Sequence, residues 1–398
     1  MNDSEAYEVA ADDLDVALRE SHIGARESSD GASSPCPVGE GTAGASATIV
    51  GRLADYADAT RGILLPGALA VAVAYVSWLV GNQVRVLGPA VTAMILGSVT
   101  TTLARLPHHQ QEWSARVGGR VLRLSIVALG GTVDVAYVLR AAGDSLIVML
   151  GTLSIGLVVM WYVGRALGIE RRVRALLAAG TSICGVSAVA AVAPAVEAEA
   201  TQMTYAVAVI LVFNIAAVIV FPLVGHLLGF SPHMFGIWAG TAINDTSSVL
   251  AAGYAFGSGA VAYAVVVKLA RTVMILPVTA LMAAVARRDP SLGGDHGAQG
   301  RPSAAAVLKR AVPWFIVGFL AMVLASSSHI WSSAAGHSVF GRISTYGVVL
   351  SLAAIGLSTD LRALAASDRK GFALGAVGWV TLALSSLALQ ALASAVHP

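Results

Sequence analysis

The residues able to do chemistry in this 398-residue chain gather in two short runs. The first is Gly180-Thr181-Ser182-Ile183-Cys184-Gly185-Val186-Ser187. The second is Gly240-Thr241-Ala242-Ile243-Asn244-Asp245-Thr246-Ser247-Ser248. Both open Gly-Thr-x-Ile and continue with small or polar residues, each at the middle of an otherwise apolar segment. One segment later Lys268 and Arg271 stand three apart, on one face of a helix. The hydroxyls and the Asn244 amide are donors suited to oxyanion oxygens. Each interior cation costs on the order of 2.5–3.5 kcal/mol on insertion scales, so both need partners, and Asp245 is the nearest acid by sequence. One acid against two bases leaves positive charge over, which with the N-termini of broken helices attracts anions.

The expected substrate-binding set is therefore Thr181, Ser182, Cys184, Ser187, Thr241, Asn244, Asp245, Thr246, Ser247, Lys268 and Arg271. Asp245 and Asp360 are the candidates for ion coupling. Each member also has a plainer reading. A hydroxyl can bond its own helix backbone, and Cys184 can be a small filler. Lys268 and Arg271 can close a structural ion pair with Asp245. Asp134 and Asp360 follow Gly-containing breaks and can cap helices. His226 and His233 flank the short turn after the sixth apolar segment, expected at the cytoplasmic face; with no third ligand they read as interfacial. No H-E-x-x-H, G-x-S-x-G or Walker pattern is present, so no catalytic residue, metal ligand or cofactor is expected.

What must position these runs is a membrane bundle. Hydrophobic residues make up 56% of the chain and charged residues 12%, against about 25% charged in a soluble domain. Mean hydropathy is +0.75. The charge is unevenly spread: residues 1–61 hold twelve acidic and four basic residues, and the remainder is basic. Cys36 and Cys184 give no disulfide framework.

Residues 1–61 read as an acidic, largely disordered cytoplasmic tail. Ile49, Leu53 and Tyr56 suggest an interfacial helix at its end. No basic region precedes an apolar core at the start, so no cleavable signal peptide is expected. Eleven apolar segments of the length a bilayer core needs follow, at 63–81, 87–105, 121–140, 145–166, 175–196, 203–228, 234–256, 260–286, 311–327, 343–361 and 371–395. A first transmembrane part (62–286) is joined by a flexible cytoplasmic loop (287–310) to a C-terminal part (311–398). Basic clusters follow the even-numbered segments: Arg105 to Arg123, Arg165 to Arg174, Arg287 to Arg310, and Arg362 to Lys370. The odd-numbered loops hold little: Arg85, Arg140 with Asp144, Glu197 with Glu199, and Arg342. The basic face stays cytoplasmic, which puts the N-terminus inside and the C-terminus outside.

The expected fold class is an all-α polytopic membrane protein of about eleven transmembrane segments, an inverted 5+5 repeat with discontinuous helices plus one extra N-terminal helix. Segment five then pairs with segment ten, interrupted at Gly356-Leu357-Ser358-Thr359-Asp360, and the two cross where each is unwound. The visible likeness, however, lies between segments five and seven, which this count makes parallel. Two re-entrant hairpins entering from opposite faces, with polar tips, are the other solution. The crossing arrangement is the one adopted from the sequence.

At this point the residues resemble a family of bacterial inner-membrane carriers assigned as sulfate exporters. The likeness rests on Gly180-Thr181-Ser182-Ile183-Cys184-Gly185, Trp238-Ala239-Gly240-Thr241, Asp245-Thr246, Ala251-Ala252-Gly253 and Val267-Lys268-Leu269 with Arg271. Gly88-Pro89-Ala90, Leu122-Arg123-Leu124 and Pro313-Trp314-Phe315 add to it. It covers about residues 60–396. It implies a plasma-membrane secondary carrier for sulfate or an organosulfonate, akin to carriers of the bile-acid/sodium symporter type. Asn244 stands where that family is expected to have His, and an amide cannot titrate. The expected partners are a small-molecule anion and the lipid bilayer, with no nucleic acid; a homodimer is compatible with the sequence. A carrier of the same fold for a neutral or cationic solute, or a non-transporting membrane sensor, are the alternatives.

Overall fold

The computed structural model describes residues 65–83, 88–288, 314–328, 334–360 and 369–396. The acidic tail and the interfacial helix expected at its end, and most of the expected cytoplasmic loop (287–310), lie outside the described residues. Every regular element within them is a helix. In chain order these are α1 (Leu65–Gln83), α2 (Gly88–Ala104), α3 (His108–Gly130), α4 (Val135–Ala166), α5 (Arg171–Ser182) and α6 (Val186–Val192). Then follow α7 (Ala200–Leu227), α8 (Pro232–Ala242), α9 (Thr246–Phe256), α10 (Ser258–Val273) and α11 (Ile275–Arg288). The last are α12 (Trp314–Ser327), α13 (Ala334–Leu357) and α14 (Arg369–Val396).

Polar residues mark where helices start. Asp134 caps α4 by accepting from the Tyr137 N–H at 2.6 Å, as its position after a glycine break suggested. Ser231 accepts from the Met234 N–H ahead of Pro232 in α8. Glu199 and Gln202 form a capping box at α7. Among the described residues six helical stretches are long and apolar enough to cross a membrane, α4, α7 and the run of α10 into α11 among them. Large apolar side chains such as Tyr75, Leu139, Ile147, Tyr162, Leu324 and Leu384 point outward. A belt of that kind is what lipid, rather than water, covers.

Neighbouring glycines fix how the helices run. A Cβ at Gly118 would touch Ser351 and Ala354, at Gly164 it would touch Leu374, and at Gly168 it would approach Lys370. With Gly130 against Phe319 and Gly131 against Phe340, which set the finish of α3 beside α12 and the start of α13, these contacts bring the start of α3, the end of α4, the end of α13 and the start of α14 to one end of the bundle. Arg105, Arg116 and the arginines from Arg165 to Arg174 lie there with Arg369 and Lys370, so it is called the basic end. At the opposite end the Val135 N–H donates to Ser327 Oγ at 2.8 Å, and Gly88 faces Ala255. Gly67 sits on Trp113, so α1 starts at the basic end, and α14 finishes at the other.

Segments five and seven do not pass from end to end. In segment five, a Cβ at Gly180 would lie 2.8 Å from Val189 Cγ2, so α6 folds back along α5. The Gln202 amide then donates to Glu170 Oε1 at 2.6 Å, joining the two feet of this hairpin at the basic end. In segment seven, Gly236 and Gly240 of α8 pack in order along Tyr263 and Val267 of α10, whereas Gly253 of α9 meets Val261. The arms α8 and α9 are therefore antiparallel. Their feet are clamped by the stacked rings of Phe235 and Phe256, centroids 3.9 Å apart. The His233 ring meets Asp144 at 3.2 Å, which puts these feet at the end opposite the arginines. Between the two hairpins α7 runs the length of the bundle.

This corrects three expectations. Segments five and seven are re-entrant hairpins inserted from opposite ends, so the parallel sequence likeness needs no parallel helices. The turn between His226 and His233 leaves the basic face, and the one holding Glu197 and Glu199 joins it. Segment ten does not cross segment five. Gly356 of α13 instead meets Gly97 of α2, where a Cβ on either would fall 2.5–2.6 Å from a main-chain oxygen of the other helix. That backbone-to-backbone approach is a helix crossing that only glycines allow. Asp360 follows α13 near Leu357, whose carbonyl accepts from Thr101 Oγ1 at 2.7 Å, and is not brought to the hairpin tips.

Candidate functional site at the hairpin tips

The first tip is Ile183-Cys184-Gly185, between α5 and α6; the second is Ile243-Asn244-Asp245, between α8 and α9. Gly185 takes φ +66° and ψ −126°, a conformation that glycine adopts freely and that costs about 1–3 kcal/mol for a residue with a Cβ. A Cβ there would also lie 3.8 Å from the Asp245 Cβ and 3.7 Å from Asn214 Nδ2. The two tips thus meet at Gly185 and Asp245, and Asn214 of α7 stands against the first of them. Asn214 stands halfway along α7, which places the junction at mid-depth.

Lys268 and Arg271 join the tips. Both are fully buried on α10. Lys268 Nζ donates to Ile183 O at 2.8 Å and to Ile243 O at 2.7 Å. Arg271 Nε donates to Ser182 O at 3.0 Å, Nη2 to Thr181 O at 3.1 Å, and Nη1 to Thr241 O. These are the last carbonyls of α5 and α8, which no intrahelical N–H can reach. A helix C-terminus carries about −0.5 charge, so two of them oppose two cations. The partner expected for Lys268 and Arg271 was the carboxylate of Asp245; the ones found are main-chain oxygens. Neither cation forms an ion pair with Asp245 among the described residues.

Asp245 faces the other way. Its Oδ2 accepts from the Ser247 N–H at 2.9 Å and from the Ser247 hydroxyl, capping α9. Asp245 and Thr246 are half-buried and Ser187 is exposed, so the tips are reachable along this side. Around them lie polar atoms that are buried and have no hydrogen-bond partner among the described residues: both amide atoms of Asn214, Asn244 Oδ1 and Ser248 Oγ. A buried unpaired polar atom costs about 1–3 kcal/mol, so a ligand or water supplies partners when one is bound.

The other expected members are less central. Thr181 and Ser182 contribute carbonyls to Arg271. The Ser182 hydroxyl points at α4, where a Cβ on Gly156 would sit 2.7 Å away. The Thr241 hydroxyl donates to Ile237 O at 2.6 Å and meets Ser386 Oγ of α14 at 2.7 Å, away from the tips. Cys184 is a buried free thiol. Sequence reasoning passed over Asn214. The signal was there: a lone amide at the centre of an apolar span marks a functional position by the cost of putting it there.

A belt of lipid-facing apolar helices around two half-inserted hairpins defines a polytopic membrane protein whose centre is built from interrupted helices. The chain belongs to the family described as conserved hypothetical protein 698, whose model matches residues 61–375. Its relatives carry the name UPF0324 membrane protein. The one from Clostridium tetani is 34% identical over 323 residues, covering 80% of this chain and 92% of that protein. One from Streptococcus pyogenes serotype M6 is 33% identical, covering 82% and 96%. One from Shewanella oneidensis is 33% identical, covering 74% and 87%. No solved structure matches the chain.

Proposed function

We propose that the protein is a secondary active transporter, an exporter of a small anion such as sulfate or an organosulfonate, working by alternating access in a bacterial plasma membrane. The observation that carries this is the meeting of two oppositely inserted hairpin tips at mid-depth, beside reachable Ser187, Asp245 and Thr246 and the unpaired amide of Asn214. Carriers place substrate where interrupted helices meet near the midplane. In this reading Lys268 and Arg271 hold the tips together and contribute positive potential rather than direct contacts. Asn214, Asn244, Ser187, Thr246 and Ser248 contact the substrate. Asp245 balances charge or couples an ion. The basic end faces the cytoplasm, with the N-terminus inside and the C-terminus outside. The reading gives no residue a catalytic role.

One observation favours a second reading. Five hydrogen bonds from Lys268 and Arg271 end on carbonyls, and the two helix C-termini with Asp245 take up much of their charge. A centre so balanced suits a neutral or cationic solute on the same fold. Flux of labelled sulfate, alkanesulfonates and uncharged analogues into proteoliposomes, under imposed proton and sodium gradients, separates the two. Saturable flux of the anions supports the first reading. Saturable flux of the uncharged solutes alone supports the second. Absence of saturable flux of any solute returns the chain to the sensor alternative.

A further inference from the structure

At the basic end, α4 and α5 hold an arginine cluster that the transport reading does not use. Arg174 is 7% exposed, and its Nε has no hydrogen-bond partner among the described residues. Its guanidinium carbon lies 4.5 Å from the centroid of the Trp161 ring, and that of Arg171 lies 5.8 Å from it. The Arg174 stem runs along Gly164, where a Cβ would be 2.8 Å from Cγ and Cδ. Arg165 adds a third charge at the end of α4.

The local charge is set against the helix. Arg171, Arg172 and Arg174 occupy the start of α5, and its first turn holds no acid. A helix N-terminus already carries about +0.5 charge, and the single carboxylate of Glu170 offsets only part of it and of the three arginines, so a further anion is favoured there. Glu170, which precedes them, makes no side-chain cap, and its carboxylate accepts from Gln202. No carboxylate pairs with Arg174 among the described residues.

The surface beside the cluster indicates which anion. Ile155, Val158, Tyr162 and Arg165 recur at spacings of three and four, on one face of α4. The three apolar members are 37%, 54% and 66% exposed. The strip is thus apolar until its last turn and cationic there. A free phosphate would use the cationic end alone; an amphiphile uses both. We propose that Arg165, Arg171 and Arg174, with Trp161, bind the headgroup of an anionic phospholipid whose acyl chain lies along Ile155, Val158 and Tyr162. Guanidinium groups match phosphate geometry, and basic pockets between transmembrane helices take up acidic headgroups.

The test uses full-length protein in phosphatidylcholine nanodiscs with and without phosphatidylglycerol, followed by native mass spectrometry and thermal unfolding. Phosphatidylglycerol should be retained on the protein and raise its unfolding temperature, while inorganic phosphate at millimolar concentration should not. Arg174→Gln and, separately, the exposed Arg165→Gln should each lower retention about fivefold, the equivalent of about 1 kcal/mol per cation. Arg116→Gln is the control, because that side chain is 71% exposed at the same end of the bundle. Equal losses from Arg116→Gln and Arg174→Gln, an equal response to inorganic phosphate, or undiminished retention in Arg165→Gln/Arg174→Gln overturns the proposal.

Discussion

The ammonium of Lys268 donates to the carbonyl oxygen of Ile183 at 2.8 Å, across 85 positions of sequence. A second N–H goes to Ile243 O, so one side chain holds the tips of two hairpins that enter from opposite ends. The arrangement answers two problems at once. A buried cation needs partners, and the severed ends of two helices need donors. Each supplies what the other lacks, and among the described residues no acidic side chain pairs with Lys268.

Lys268→Met keeps an unbranched side chain, one atom shorter, and removes its donors. Two buried carbonyls are then left unpaired, at about 1.5–3 kcal/mol for each bond to a charged group. The variant should unfold well below the wild type in a detergent thermal melt, and the α5 and α8 ends should exchange amide hydrogens faster. An unchanged melting temperature would mean that the staple carries no weight.

Asp245 offers a cleaner division between structure and function. Asparagine caps helices about as well as aspartate, whereas alanine costs about 1 kcal/mol at such a position. Asp245→Asn should therefore melt near the wild type and Asp245→Ala below it. Both should lose substrate flux, because the charge rather than the cap serves transport. Full flux in Asp245→Asn would remove the charge from the mechanism.

Asn214→Leu replaces an unpaired buried amide with an apolar group of similar size. Stability should stay level or rise, by up to about 1–3 kcal/mol, because the two orphaned atoms disappear. Flux should fall. A drop in both together would make Asn214 a packing residue that acts only through the fold.

The α2–α13 crossing can be probed with the smallest possible change. Gly356→Ala would press a methyl group onto Met94 O, where only backbone can yield, and overpacking of this kind costs about 1–3 kcal/mol. Gly143→Ala meets nothing within 4 Å and should be neutral or slightly stabilising. Thermal melts of the two variants should differ in that order.

Much of this was legible in the sequence, and the gaps have physical causes. The alternation of arginine-rich and arginine-poor loops marked which helix ends share a face. The repeated Gly-Thr-x-Ile marked the two tips. Hydropathy could not tell a broken span from a hairpin, because about 25 apolar residues suffice for either. The difference lies in contacts such as Val189 on Gly180, which no local pattern encodes. The partners of Lys268 and Arg271 were hidden for a different reason. Every residue has a carbonyl, so a cation satisfied by helix ends leaves no acidic signature, and Asp245 drew attention as the nearest acid. Asn214 was passed over as one polar residue in an apolar helix, although depth in the bilayer makes a single amide costly.

Opposed hairpins are what the transport reading stands on, and sided thiol labelling tests them directly. In a background with Cys36→Ser and Cys184→Ala, single cysteines replace Arg116 at the basic end, Ala200 at the start of α7 and Leu228 at its finish. Membrane-impermeant maleimide is applied to right-side-out and inverted vesicles. Ala200→Cys should label from the same side as Arg116→Cys, and Leu228→Cys from the other. Labelling of Ala200→Cys from the side opposite Arg116→Cys would make segment five a full crossing and contradict the account.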